Sequence, residues 1–137
     1  MNLDFKKLQI KVVENERALY SFAELKDFID WEVKKIYYIQ NCREATGQHC
    51  HKIEKEMFVM VKGSCVGIVD HGNGKEDVEL KASGDAIIVG NYVWHGFKDF
   101  SSDAILLAIS SANYNPDRSD YIEDYEVYKE EIGKIRN

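Results

Sequence analysis

The sequence has little of what marks membrane, secreted or nucleic-acid-binding chains. No uninterrupted apolar run approaches the ~20 residues that a bilayer span requires, which excludes a spanning helix. Met1 to Lys7 mixes polar and charged residues, unlike a secretory leader, so a cytoplasmic chain with no membrane partner is expected. There are three cysteines, Cys42, Cys50 and Cys65; an odd number without C-x-x-C spacing points to reduced thiols rather than a disulfide framework or a thiolate zinc site. Eighteen Lys and Arg stand against 24 Asp and Glu, a net charge of -6, so a nucleic-acid partner is not expected. A local basic pocket for a small polyanion remains compatible with that balance. One proline, Pro116, and no low-complexity stretch leave no candidate linker, so residues 1–137 read as a single domain.

What is present is a core and a strand pattern. Hydrophobic residues make up 45% of the chain, and a domain of this length buries roughly two-thirds of its unfolded surface. Leu8, Ile10 and Val12 alternate with polar residues, and Leu19 to Phe22 read as a second short strand. Glu24 to Asp30 fits either a loop or one helical turn. From Trp31 to Ile39 the alternation returns, with Trp31, Val33, Lys35, Tyr37 and Ile39 on one face and Tyr38 on the other. Further strands are predicted over residues 56–61, 65–69, 77–80, 86–89, 93–97 and 104–110, with a hairpin turn at His71-Gly72-Asn73-Gly74. Asp120 to Ile135 reads as a helix whose Tyr121, Tyr125 and Tyr128 share a face that packs on the strands. Many short strands between turn signals imply a sandwich or barrel.

The chemistry concentrates in Gly47-Gln48-His49-Cys50-His51, followed by Glu56 and Gly63. Histidines at i and i+2 on an extended strand project from the same face, so Cys50 points away from them. The turn-prone Lys52 to Lys55 segment can reverse the chain and return Glu56 beside the pair. A second stretch, Gly84 to His95, brings another histidine on another strand. His71, in its glycine-rich turn, is expected to be exposed and without a role.

These stretches resemble the paired motifs of the cupin superfamily. Gly47, His49, His51, Glu56 and Gly63 keep the order and spacing of the first motif. Gly84 and His95 keep the separation of the second, with Gly90, Tyr92 and Asp99 where Pro, Gly and Asn are usual. The resemblance implies an all-β cupin (jelly-roll) β-barrel with a short C-terminal helix. In many cupins three histidines and a glutamate hold a divalent metal; here His49, His51, Glu56 and His95 would be that set, and Fe, Mn, Ni or Zn would suit it.

From Lys34 to Tyr128 the chain is similar to a narrower group, the WxcM-like cupins, which are sugar-nucleotide 3,4-ketoisomerases. The matching segments are Lys35-Ile36-Tyr37-Tyr38, Gly47-Gln48-His49-Cys50-His51-Lys52, Val93-Trp94-His95 with Asp99-Phe100-Ser101-Ser102, and Asp120-Tyr121-Ile122-Glu123-Asp124-Tyr125. Thr46 replaces an arginine of that pattern, and Glu56 stands where glutamine is frequent. The resemblance implies a cofactor-free isomerase acting on dTDP-4-oxo-6-deoxyglucose in a route to 3-amino sugars of surface glycans such as O-antigen. It also implies a homodimer with exchanged N-terminal strands, for which Leu8, Ile10 and Val12 are the candidate segment. His49 and His51 would then shuttle protons, with Tyr37 bonding to the enediolate oxygen. Lys35, Arg17 and Arg43 are candidates for the diphosphate, and His95 for a further substrate contact. Two other readings compete: a metal-dependent cupin enzyme such as a dioxygenase on His49, His51, Glu56 and His95, and a non-catalytic sugar-binding cupin.

Overall fold

Apolar stretches between turn-forming residues commit nearly half of this chain to short antiparallel strands. The computed structural model describes residues 3–136. In order these form β1 (Phe5–Gln9), β2 (Lys11–Glu14), β3 (Leu19–Phe22), a 3-10 turn (Leu25–Asp27), β4 (Lys35–Gln40), β5 (Thr46–His51) and β6 (Glu56–Lys62). There follow β7 (Ser64–Asp70), β8 (Glu76–Lys81), β9 (Asp85–Val89), β10 (Trp94–Lys98), β11 (Ile105–Ser110), β12 (Tyr121–Ile122) and α1 (Tyr125–Arg136).

One five-stranded sheet runs β1-β9-β6-β11-β4 and the other β12-β5-β10-β7-β8, while β2 and β3 form a separate hairpin. The all-β jelly roll with a short C-terminal helix is the fold expected, but its barrel takes the form of two facing sheets rather than one closed ladder. Between them lies the main core, including Phe58, Met60, Val69, Leu80, Ile87 and Leu106. A second cluster covers the outer face of the first sheet, where Met57, Val59, Ala86 and Ile88 pack under Leu25, Phe28, Trp31 and Val33. The middle strands β6 and β9 are thus apolar on both faces, and their sequences (Met57-Phe58-Val59-Met60, Ala86-Ile87-Ile88-Val89) lose the alternation of a one-sided strand.

Three expectations are corrected. Trp31 to Lys34 is not part of β4: Trp31 and Val33 belong to the covering segment, and only from Lys35 does the ladder with β11 begin. The predicted strand through Leu8, Ile10 and Val12 is two strands. Leu8 and Ile10 pack on the first sheet, and only the hairpin beyond them stands apart. The C-terminal helix starts at Tyr125, because Asp124 Oδ1 accepts from the backbone N–H groups of Glu126 and Val127 and so caps it there. Tyr121 therefore lies outside the helix, on β12, paired with His51 of β5.

Candidate active site

β5 carries His49 and His51 on its inward face, and β10 delivers His95 directly opposite His49. Glycine makes that register possible. Gly47 has a φ of +84°, and a Cβ on it would lie 2.9 Å from Gly96 Cα; a Cβ on Gly96 would lie 2.7 Å from the Gln48 nitrogen. Only two backbones without side chains approach so closely. The bulge there turns Gln48 so that its Oε1 accepts from Trp94 Nε1 at 3.1 Å.

The opposite wall is the first sheet. Glu56, the first residue of β6, is 1% exposed and places Oε1 3.2 Å from His51 Nε2 and 3.3 Å from His95 Nε2. These are ion-pair distances, but Glu56 Oε1 and His95 Nε2 make no well-formed hydrogen bond with any described residue. The other oxygen, Oε2, accepts from the Tyr37 hydroxyl at 2.6 Å. Alternation on β4 turns Lys35, Tyr37 and Ile39 inward and leaves Ile36 and Tyr38 exposed, as the sequence predicts.

His51 is the hub. Its Nε2 lies 3.2 Å from His49 Nε2, and its Nδ1 lies 3.1 Å from Asp120 Oδ2 and 3.7 Å from Glu54 Oε1. Asp120 is fixed in turn by the backbone N–H groups of Ile53 and Glu54. Glu54, also buried, accepts from Ser110 Oγ at 2.6 Å and sits 3.6 Å from Lys35 Nζ. The Tyr121 ring lies against both histidines, 4.4 Å from His51 and 4.9 Å from His49 between centroids, with Arg118, paired to Glu123, over the ring at 3.9 Å.

This arrangement separates the two histidines electrostatically. Burial lowers the His49 pKa to about 3, and the neighbouring His95 and His51 act in the same direction, so His49 is held neutral. Burial also disfavours a charged His51, but Glu56, Glu54 and Asp120 outweigh it and raise this pKa above the ordinary value. Burial pushes Glu56 up, yet the close approach of His51 and His95 prevails and holds it below the usual carboxylate range. Burial, and then Glu56, keep the Tyr37 hydroxyl protonated far beyond the ordinary tyrosine range. An imidazole held neutral, beside one whose protonated form is favoured, is an arrangement suited to acid–base chemistry.

The cavity they line measures ≈ 330 Å³ and is walled by Lys35, Tyr37, His49, His51, Glu54 and Tyr121, with Tyr114 at its rim. That volume falls at the lower end of ordinary small-molecule sites, roughly 300–1,000 Å³. An adjoining recess of ≈ 220 Å³ shares the Glu54 and Tyr121 walls.

The chain belongs to the WxcM-like, C-terminal (FdtA) family, whose model matches residues 1–133. A relative in this WxcM-like family, the TDP-4-oxo-6-deoxy-alpha-D-glucose-3,4-oxoisomerase of Aneurinibacillus thermoaerophilus, is 35% identical over 127 residues, 91% of this chain and 89% of the relative. Among solved structures, a 3,4-ketoisomerase of Helicobacter canadensis is 27% identical with a TM-score of 0.85, over 96% of this chain and 98% of that one. A 3,4-ketoisomerase of Thermoanaerobacterium thermosaccharolyticum, a double mutant in complex with TDP, is 26% identical with a TM-score of 0.87, over 98% and 97% of the two chains.

Of the residues singled out in the sequence of this WxcM-like chain, Lys35, Tyr37, His49, His51, Glu56 and His95 converge. Arg17 and Arg43 do not: Arg17 lies exposed in the β2–β3 turn and Arg43 exposed between β4 and β5, outside the cavity wall of their own chain. His71 is not idle in packing; its ring lies 5.0 Å from that of Phe5 and its Nε2 3.1 Å from Glu76 Oε1. Glu54, Asp120, Tyr121 and Arg118 were not singled out for the site. The four-residue set His49, His51, Glu56 and His95 also fits a divalent cation, since one donor atom from each lies within 4.8 Å of the others and two of those atoms lack a formed hydrogen bond.

Proposed function

We propose that this protein is a 3,4-ketoisomerase of a dTDP-linked 4-oxo-6-deoxyhexose. The observation that carries the reading is the His49–His51 pair, Nε2 to Nε2 at 3.2 Å within one cavity, with burial holding His49 neutral and the surrounding carboxylates favouring the protonated form of His51. Family membership and the named activities of the relatives support it.

The reaction moves a ketone from C4 to C3 without net redox change. C3 loses a proton while O4 gains one, giving an enediol; O3 then loses its proton while C4 gains one. His49, neutral, is suited to accept the C3 proton. His51, whose protonated form is favoured by Glu56, Glu54 and Asp120, is suited to deliver a proton to C4. Tyr37, whose hydroxyl hydrogen is given to Glu56 Oε2 at 2.6 Å, would turn from that carboxylate to donate to the developing enediolate oxygen. Lys35 at the cavity wall offers a cation to the diphosphate. A divalent ion on His49, His51, Glu56 and His95 would polarise a carbonyl; none of these proton transfers uses it. The 3-ketone formed is the group that an aminotransferase would convert to a 3-amino sugar, and nucleotide-activated sugars place the work in the cytoplasm. No helix of the described residues is long and apolar enough to cross a membrane.

A homodimer is part of the proposal. Val12, Val13, Leu19, Tyr20 and Phe22 are exposed on the β2–β3 hairpin, as are Ile36 and Tyr38 on β4, an edge strand of the first sheet. Apolar edge strands of this kind favour pairing with a second copy. Exchange of the hairpin would also carry Arg17 to the other subunit.

The test is incubation of metal-stripped protein with dTDP-4-oxo-6-deoxyglucose in D₂O, followed by NMR of the ring protons. Loss of the C3 proton signal with a new 3-keto product is expected. A substrate that keeps its C3 proton through prolonged incubation would overturn the proposal.

A further inference from the structure

Glu54 is 5% exposed, yet none of the proposed proton transfers passes through it. It sits in the turn between β5 and β6, which Asn91 ties to the segment after β9 by donating from Nδ2 to the Ile53 carbonyl at 2.7 Å. The two oxygens of the carboxylate are differently placed. Oε2 accepts from Ser110 Oγ at 2.6 Å and has Lys35 Nζ at 3.6 Å. Oε1 has His51 Nδ1 at 3.7 Å, beyond hydrogen-bond reach, and the hydrogen on that nitrogen is directed to Asp120 Oδ2 at 3.1 Å.

Oε1 therefore makes no hydrogen bond with a described residue. It is not sealed off either: among the described residues, the fully buried side-chain polar atoms without a partner are Glu56 Oε1 and His95 Nε2 alone. Glu54 lines both the main cavity and the adjoining recess, so this free oxygen opens onto the space a ligand would fill. A ligand that displaced water from it without bringing a donor would leave a carboxylate oxygen desolvated and unpaired, which is strongly unfavourable. Ser110 and Lys35 meanwhile hold the group by its other oxygen, so the acceptor is fixed before a ligand arrives.

The chemistry of a 4-oxo-6-deoxyhexose joined to a nucleotide through C1 narrows the donor. C4 is the ketone, C6 carries no oxygen, and the ring oxygen only accepts. The hydroxyls on C2 and C3 are the donors of the sugar, and the one on C3 is consumed by the reaction. C3 and C4 must approach the Nε2 atoms of His49 and His51, whereas Glu54 Oε1 lies beside the other nitrogen of the His51 ring. The donor it meets is thus on a carbon adjoining the reacting pair. Of the two such carbons, C2 carries a hydroxyl and C5 does not.

Taking the sugar from the proposed function, we infer that Glu54 Oε1 accepts a hydrogen bond from the C2 hydroxyl and makes this chain selective for 2-hydroxy over 2-deoxy substrates. Glu54 is then a specificity-determining residue of the reaction.

The full chain, Glu54→Leu and Glu54→Gln are each assayed with dTDP-4-oxo-6-deoxyglucose and with its 2-deoxy analogue, and circular dichroism checks that each variant folds. Leucine fills the space without an acceptor, and glutamine keeps a neutral one. The preference in kcat/KM for the 2-hydroxy sugar should fall about 10- to 100-fold in Glu54→Leu, the worth of a hydrogen bond to a charged group, and by less in Glu54→Gln. Any effect of Glu54 on His51 slows both sugars alike and cancels in that ratio, as does their intrinsic difference in reactivity. An unchanged ratio in folded Glu54→Leu overturns the contact. If that variant does not fold, an unchanged ratio in Glu54→Gln does so. Calorimetry with the unreactive dTDP-6-deoxyglucose and dTDP-2,6-dideoxyglucose separates the two readings. If the wild type turns over neither keto sugar, the isomerase falls. A binding preference for the 2-hydroxy compound that Glu54→Leu abolishes then still supports the contact, and a preference that the variant keeps overturns it.

Discussion

Asp120 Oδ2 lies 3.1 Å from His51 Nδ1, although 69 residues separate the two in sequence. The carboxylate holds the imidazole from behind, and its own two oxygens are held by the N–H groups of Ile53 and Glu54. In the proposed mechanism Asp120 is a positioning residue, setting the tautomer and the direction of His51 from outside the main cavity wall.

Replacing Asp120 with Asn puts an NH₂ group against at least one backbone donor, since every partner of this carboxylate is a hydrogen-bond donor. The expected result is a stability loss of about 1–3 kcal/mol, together with a fall in kcat of at least about tenfold and a much smaller change in KM. Steady-state kinetics with a thermal melt on the same sample checks this. A stable variant with unchanged kcat removes Asp120 from the mechanism.

His49→Asn and His51→Asn should each fold and each lower kcat by roughly 10²–10⁴. The two are not expected to add in the double variant, because one proton path uses both rings. Near-wild-type turnover in either single variant would sink the pairing.

The C-terminal helix is pinned by tyrosine hydroxyls. Tyr125 donates to Asp70 Oδ2 at 2.7 Å, and Tyr128 reaches the carbonyls of Asp70 and Tyr92. Partial burial, and then Asp70, raise the Tyr125 pKa from 10.0 to about 12. A raised folded-state pKa means that the contribution of Tyr125 is fully present below pH 10 and is lost as the pH rises through 12. The melting temperature should fall across that window, and Tyr125→Phe should fall less steeply. Parallel curves for the two proteins would refute the assignment.

Cys50 and Cys65 are 0% and 1% exposed, and burial raises both thiols to about 12. Cys42 is only partly covered. At pH 8 a chromogenic disulfide reagent should titrate one thiol in the native protein and three in denaturant. More than one fast native thiol would mean that the β5 strand or the core beneath it opens readily.

Much of this was legible because alternation and chemistry agreed. β3 and β6 to β11 followed from short apolar stretches between turn signals, β6 and β9 as continuous runs without alternation, and the His49–His51 face followed from spacing alone. Trp31 and Val33 misled because they continue the alternation into β4 while packing on the opposite side of the sheet. Tyr121, Tyr125 and Tyr128 fit a helical stripe by spacing; the signal against it was Asp124, a capping residue just before an acidic first turn. Arg17 and Arg43 were chosen for charge, and charge carries no address. Glu54 sits in a polar, turn-like run, Lys52 to Lys55, that gives no sign of a buried carboxylate, because its partners Ser110 and Lys35 come from distant strands.

The two-sided burial of β6 and β9 divides the cavity into unequal walls. Glu56 stands on the wall packed from both faces, whereas Tyr121 stands on the two-residue β12, and Tyr114 lies in the irregular stretch before it. Amide protons near Glu56 should therefore exchange only with global opening, and those between Tyr114 and Tyr121 through local fluctuation. Ligands of different shape would be admitted by the Tyr114–Tyr121 side, against a Glu56 side that keeps its place.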